Sequence, residues 1–217
     1  MGARVAWGEL GGGPARHNDR MRLFAAVVPP PEAIEDLAAF LEPREQAGPD
    51  LRWTTPEQWH LTLAFMPDVP DRVLDDLVVR LTRAARRRAP LPLRVAGSGA
   101  FPNPYAARVL WAGVEHEGDG LAHLARGIRS VCAKAGAAPE GGPFHPHLTL
   151  ARLRRPSEVT RWLRVFEGYA GPSWVAQDVA LIESHLGEGP RRRPRYDVLD
   201  RFSLGDSAPP AGLEPAT

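Results

Sequence analysis

His60-Leu61-Thr62-Leu63 occurs twice in this chain: His147-Leu148-Thr149-Leu150 repeats it letter for letter 87 positions downstream. An imidazole with its ordinary pKa of about 6.5 can give or take a proton near neutrality. A threonine hydroxyl can donate a hydrogen bond to an oxygen that carries charge. Side chains alternate between the two faces of a strand, so His and Thr of each copy share one face and the two leucines share the other. A single copy would read as an ordinary half-buried strand. Two identical copies, each with the uncommon residue histidine, point instead to one site assembled from both.

The elements that must position these copies follow from periodicity. Residues 1 to 20 contain Gly11-Gly12-Gly13-Pro14 without sustained pattern and read as a flexible extension, with Met21 a possible start of translation. Leu23 to Val28 is an apolar strand closed by Pro29-Pro30. Pro31 suits the first turn of a helix that carries Ile34, Leu37, Ala38 and Leu41. A turn at Thr55-Pro56 precedes the first motif strand. Asp71 to Arg88 is the clearest helix, its stripe formed by Leu74, Leu77, Val78, Leu81 and Ala85, and Arg86-Arg87-Arg88 suit its C-terminal dipole. Strands are expected at Leu93 to Ala100 and Arg108 to Val114, then a helix from Leu121 to Ala135. The second motif strand follows over His147 to Leu153, and then a helix capped by Pro156-Ser157. Val175 to Ser184 and Tyr196 to Leu204 read as two closing strands around Arg191-Arg192-Arg193, and the residues from 206 to 217 as a disordered tail. The mixture lacks regular βαβ alternation, which makes the class α+β with largely antiparallel pairing.

Composition narrows the possibilities. The 217 residues suit one domain with a substantial core, 43% hydrophobic and 24% charged with a net charge of +1. Lys134 is the only lysine, so arginine supplies nearly all positive charge. The lone Cys132 rules out an internal disulfide and sits at an apolar helical position. No run approaches the roughly 18 apolar residues of a membrane span, and no signal sequence is evident, so a cytoplasmic location without membrane contact is expected.

The residues around the repeats carry a resemblance. Arg52-Trp53, Glu57-Gln58-Trp59-His60-Leu61-Thr62-Leu63 and Pro143-Phe144-His145-Pro146-His147-Leu148-Thr149-Leu150-Ala151-Arg152 are similar to the two signature motifs of the 2H phosphoesterases, in particular the RNA 2′,3′-cyclic phosphodiesterase (2′-5′ RNA ligase-like) branch. Met21 to Val27, Gly99-Ala100-Phe101-Pro102, Leu181-Ile182-Glu183-Ser184 and Pro194-Arg195-Tyr196 fit as well, so the resemblance spans about residues 21 to 205. It implies a single bilobal domain: antiparallel sheets related by a pseudo-twofold axis, flanking helices, and a central cleft. The activity implied is hydrolysis of a terminal 2′,3′-cyclic phosphate to a 2′-phosphate, without metal or cofactor. His60 would be the general acid toward O3′ and His147 the base that activates water. Thr62, Thr149 and Arg152 would hold the phosphate.

Phe144 has two readings, as a stacking surface for the base or as a core aromatic under Pro146. His145 departs from the family pattern, where a basic residue is common. It can stand in as a cation near RNA, or pair with His147 as an i, i+2 metal chelate that no nearby cysteine or carboxylate cluster completes. The implied partners are RNA or nucleotide ends bearing a cyclic phosphate, met by a monomer. Two alternatives remain: a related 2H enzyme acting on a small cyclic nucleotide phosphate or a 2′-5′ linkage, and a non-catalytic RNA-end-binding module.

Overall fold

The computed structural model describes residues 20–47 and 51–205. Residues 1–19 of the expected extension and the tail from residue 206 lie outside the described residues; Arg20, the last residue of that extension, instead opens the first strand, paired with Pro70. Within them nine strands and four α-helices succeed one another: β1 (Arg20–Val27), α1 (Pro31–Leu41), β2 (Leu51–Trp53), β3 (Leu61–Pro70), α2 (Leu74–Arg86), β4 (Leu91–Phe101), β5 (Ala107–His116), α3 (Gly120–Lys134), β6 (His147–Ser157), α4 (Thr160–Phe166), β7 (Ala170–Ala176), β8 (Asp178–His185) and β9 (Arg195–Ser203).

All pairings are antiparallel, and the sheet runs β7-β4-β5-β6-β3-β1-β8-β9 with β2 added on β6. It consists of two half-sheets, each ending at the centre in a motif strand. They join where Leu61 of β3 pairs with Leu148 of β6, the leucines that follow the two histidines. An antiparallel pair about that point relates His60 to Thr149 and Thr62 to His147, on the face opposite the leucines. The repeat in sequence is therefore a pseudo-twofold in space.

Helices cover the leucine face. Leu23, Ala25 and Val27 of β1 and Leu61 and Leu63 of β3 share one core with Leu37 and Leu41 of α1 and Leu77 and Leu81 of α2. Leu121, Leu124 and Ile128 of α3 and Trp162 and Phe166 of α4 complete it. Each fully buried leucine stabilises by about 1.5–3 kcal/mol relative to exposure. Helix α1 crosses to pack on β7 and β4 of the other half, and α3 crosses back onto β3 and α2. The helices that follow the motif strands stay home: α2 packs on β9, and α4 on β4. That exchange of helices ties the halves together.

Two sequence expectations fail locally. The strand expected from Val175 to Ser184 is two strands separated by Gln177: β7 pairs with β4 at one sheet edge, and β8 pairs with β1 in the other half. The chain is apolar on both sides of Gln177-Asp178, and that pattern carries no information about which partner is being paired. Ser157 does not cap a helix. Its strand continues because Ser157 pairs with Ala107, its hydroxyl bonds the Arg155 carbonyl, and α4 starts at Thr160 after Val159. Among the described residues no helix is long and apolar enough to cross a membrane.

Candidate active site

Each motif histidine is held in the same way. His60 Nδ1 lies 2.8 Å from the Gln58 carbonyl, and His147 Nδ1 lies 2.7 Å from the His145 carbonyl. A carbonyl oxygen only accepts, so Nδ1–H donates in both rings and Nε2 is left as the free acceptor of the neutral form. Both rings line one cleft of about 870 Å³, together with Thr62, Thr149 and Arg152.

Arg152 reaches that cleft because of a bulge. Strict alternation would send it to the face opposite His147, five residues earlier. In β6, however, Thr149 pairs with Trp111 and Ala151 with Leu110, so Leu150 is an extra residue that reverses the parity. The first half repeats this: Thr62 pairs with Ala26 and Ala64 with Ala25, which leaves Leu63 extra. There the position equivalent to Arg152 is Phe65, and it too lines the cleft. The Arg22 guanidinium sits 4.2 Å from the Phe65 ring centre, within cation–π range. Its Nε is buried with no hydrogen-bond partner among the described residues.

A polar relay aligns the two motifs. Buried Trp59 donates from Nε1 to Thr54 Oγ1 at 2.9 Å, and that hydroxyl lies 2.8 Å from the Thr149 carbonyl and 2.9 Å from that of Leu150. The residue next to His60 is thereby tied to the strand that carries His147.

The surroundings of the two rings differ. His60 stacks on Phe24, with centroids 4.4 Å apart and planes 26° from parallel, and Tyr196 meets it edge-on. His147 meets Phe101 edge-on at 5.1 Å, and Trp111 is tilted beside it at 5.8 Å. Burial pushes the His60 imidazole down to about 4; its bond to the Gln58 carbonyl opposes this, while the charges of His147 and Arg152 reinforce it. His147 also falls below its ordinary value, chiefly through burial, against the pull of the His145 carbonyl and with His145 and Arg152 adding repulsion. Both shifts favour the neutral imidazole. The arrangement can accept a proton on one side of a bound anion and, once the other ring is charged, deliver a proton on the opposite side.

Of the seven residues singled out from sequence, His60, His147, Thr62, Thr149 and Arg152 come together in the cleft. Phe144 does not: it is half-buried against the main core, which corresponds to the core-aromatic alternative. His145 is exposed and is not among the cleft-lining residues; it contributes its carbonyl to His147 and its ring lies 5.7 Å from that of Phe101. Among the described residues no set of three His, Cys, Asp or Glu side chains gathers around it. Sequence reasoning gives no role to Phe24, Tyr196, Phe101, Trp111 or Arg22. Phe24 belongs to a run that is buried on both faces, and only the fold shows that it and Ala26 pack away from the main core, with Ala180 and Ile182.

The model of the 2′-5′ RNA ligase superfamily matches residues 28–188. The chain is 36% identical over 192 residues to the RNA 2′,3′-cyclic phosphodiesterase of Thermus thermophilus, covering 85% of this chain and 90% of that protein. It is 29% identical over 196 residues to the Escherichia coli protein of the same name, covering 86% and 98%. Among solved structures, a Thermus thermophilus protein superposes with a TM-score of 0.69 at 34% identity, over 86% of this chain and all of that one. Escherichia coli LigT complexed with 3′-AMP superposes with a TM-score of 0.68 at 29% identity, over 86% and 99%. The named relatives are hydrolases. The matched stretch contains both motif strands and both bulges, and on that ground the chain belongs to the 2′-5′ RNA ligase superfamily of 2H phosphoesterases.

Proposed function

We propose that this protein is an RNA 2′,3′-cyclic phosphodiesterase that opens the cyclic phosphate to a 2′-phosphate with His60 as acid and His147 as base, without a metal. The observation that carries the reading is the matched pinning of the two rings, which leaves both Nε2 atoms free in a cleft that also holds Thr62, Thr149 and Arg152. Names and substrates of the relatives support the substrate class.

In this mechanism the phosphate enters between the motifs, and Arg152 and the two hydroxyls take its non-bridging oxygens, where charge accumulates. Arg22, carried on Phe65, adds a second cation from the other half. The charge of the bound anion favours the imidazolium against the burial that keeps His60 neutral, so His60 takes up a proton as substrate binds. Water then attacks phosphorus in line with O3′. Its proton passes to His147 Nε2, the new P–O bond forms, the P–O3′ bond breaks, and His60 Nε2 protonates O3′. The two rings end with exchanged protonation states and reset through solvent.

The test is a short RNA ending in a 2′,3′-cyclic phosphate, with the 2′- and 3′-phosphate products resolved, before and after dialysis against EDTA. The expected result is 2′-phosphate at an undiminished rate in EDTA. Activity lost in EDTA and restored by zinc or manganese would overturn the metal-independent mechanism, and no turnover at all would favour a binding module.

A further inference from the structure

A second cavity of about 590 Å³ opens beside the catalytic cleft and shares Gln58, Arg193, Pro194 and Tyr196 with it. Thr55, Glu57, Pro190, Arg191 and Arg195 complete much of its wall. Its volume lies in the range of small-ligand sites.

The triple-arginine loop that forms this wall is fastened to the first motif. Gln58 Nε2 donates to the Pro194 carbonyl at 3.0 Å, while the Gln58 carbonyl is the acceptor that orients His60. Arg52 Nη2 reaches the Arg191 and Arg192 carbonyls at 3.5 Å. The loop therefore stands in a fixed relation to a catalytic ring.

Its charge is uncommitted. Arg195 is paired with Asp197 and Glu188, whereas Arg191, Arg192 and Arg193 form no ion pair among the described residues. One carboxylate, Glu57, stands on the wall and is kept ionised first by its own backbone N–H and the Thr55 hydroxyl, with a contribution from Arg193. Two arginines against one carboxylate leave the cavity cationic, and Tyr196, Pro190 and Pro194 give it apolar surface. That combination suits a nucleotide, with phosphate on cations and base on flat apolar groups.

We propose that this cavity is a subsite for the penultimate nucleotide of an RNA 3′ end, its phosphodiester held by Arg191 and Arg193, so that the preferred substrate is an oligonucleotide and not a cyclic mononucleotide. The proposal rests on the reading of the main cleft as the cyclic-phosphate site. A strand whose terminal cyclic phosphate lies between His60 and His147 must leave the cleft, and the shared wall of Gln58, Arg193 and Tyr196 is an exit lined with positive charge.

The experiment compares kcat/KM for a 2′,3′-cyclic mononucleotide and for a trinucleotide with the same end, using wild type, Arg191→Gln and Arg191→Lys. Arg191 is exposed and does not line the catalytic cleft. Wild type should prefer the trinucleotide. Arg191→Gln should lose about three- to tenfold on the trinucleotide alone, and the salt dependence of its log kcat/KM should weaken by about 0.7. Arg191→Lys should recover most of the loss, since a phosphate is served by a point charge. Equal kcat/KM for the two substrates, or an Arg191→Gln loss of equal size on both, would overturn the subsite and leave the chemistry of the cleft intact. If neither substrate is turned over, the reading of the cleft fails. Fluorescence anisotropy with a trinucleotide 2′-phosphate then decides the subsite alone: weaker binding by Arg191→Gln upholds it, and unchanged binding overturns it.

Discussion

Five residues after each motif histidine the two halves of the sheet diverge: one carries Phe65, the other Arg152. Everything up to that point is shared. The sequence His-Leu-Thr-Leu-Ala is common to both, a bulge falls at the same leucine, and each histidine is pinned by the carbonyl two residues before it. Beyond it, one half offers a cation directly, and the other offers an aromatic ring with Arg22 laid over it. The aromatic setting of the rings diverges too, with His60 stacked on Phe24 and His147 met edge-on by Phe101. In the proposed mechanism duplication supplies two equivalent proton carriers, and the divergent residues around them distinguish the two. An acid and a base made from identical parts need different environments.

The comparison is broken most severely by removing either ring. His60→Ala and His147→Ala should each lower kcat by about 10²–10⁴-fold with the fold retained, as measured by turnover alongside circular dichroism. A variant that keeps more than about a tenth of wild-type kcat removes that histidine from the chemistry.

Next in size are the phosphate donors. Under the proposed mechanism Thr62→Val and Thr149→Val would each delete one hydrogen bond to a charged oxygen and should cost about 10- to 100-fold in kcat. Arg152→Met and Arg22→Met should both raise KM, and similar effects are expected if Arg22 on Phe65 is the counterpart of Arg152. An unchanged KM in Arg22→Met would remove Arg22 from phosphate binding.

The pH dependence sharpens the comparison further. Both imidazoles are depressed in the free protein, so each is neutral above its own lowered value. The form with one ring charged exists between the macroscopic values of the pair. kcat/KM should therefore be bell-shaped, with its acid limb near 4, its maximum below pH 6.5 and a decline above. kcat should peak at higher pH, because bound phosphate raises both rings. A kcat/KM that climbs from pH 6.5 to 9 would contradict the histidine pair.

The smallest effect expected is on one ring alone. Phe24→Leu opens the stack over His60 and should move its titration, followed by NMR, up from about 4 while His147 stays put. Equal movement of both would mean that the rings titrate as one coupled unit.

Much of this is legible in the sequence, for physical reasons. The duplicated strand shows its two faces through period-2 alternation, and the leucines of α2 and α3 show theirs through helical spacing. What alternation cannot register is a change of partner, as at Gln177, or a bulge, as at Leu63 and Leu150, because one inserted residue alters parity without altering composition. Hence Arg152 is reached by resemblance and its counterpart Phe65 is not reached at all. Phe24 is hidden by a strand apolar on both faces, and Ser157 reads as a cap because the strand pairing that claims it is non-local.

The central claim, that equivalent histidines hold opposite roles, is tested most directly with a cyclic substrate whose 3′ oxygen is replaced by sulfur. A thiolate leaves without needing a proton, so a missing general acid matters little, whereas a missing base still matters. His60→Ala should recover most of the wild-type rate on this substrate, and His147→Ala should remain as slow as on the oxygen substrate. Rescue of His147→Ala in place of His60→Ala would exchange the two roles, and rescue of neither would contradict an acid–base division between the halves.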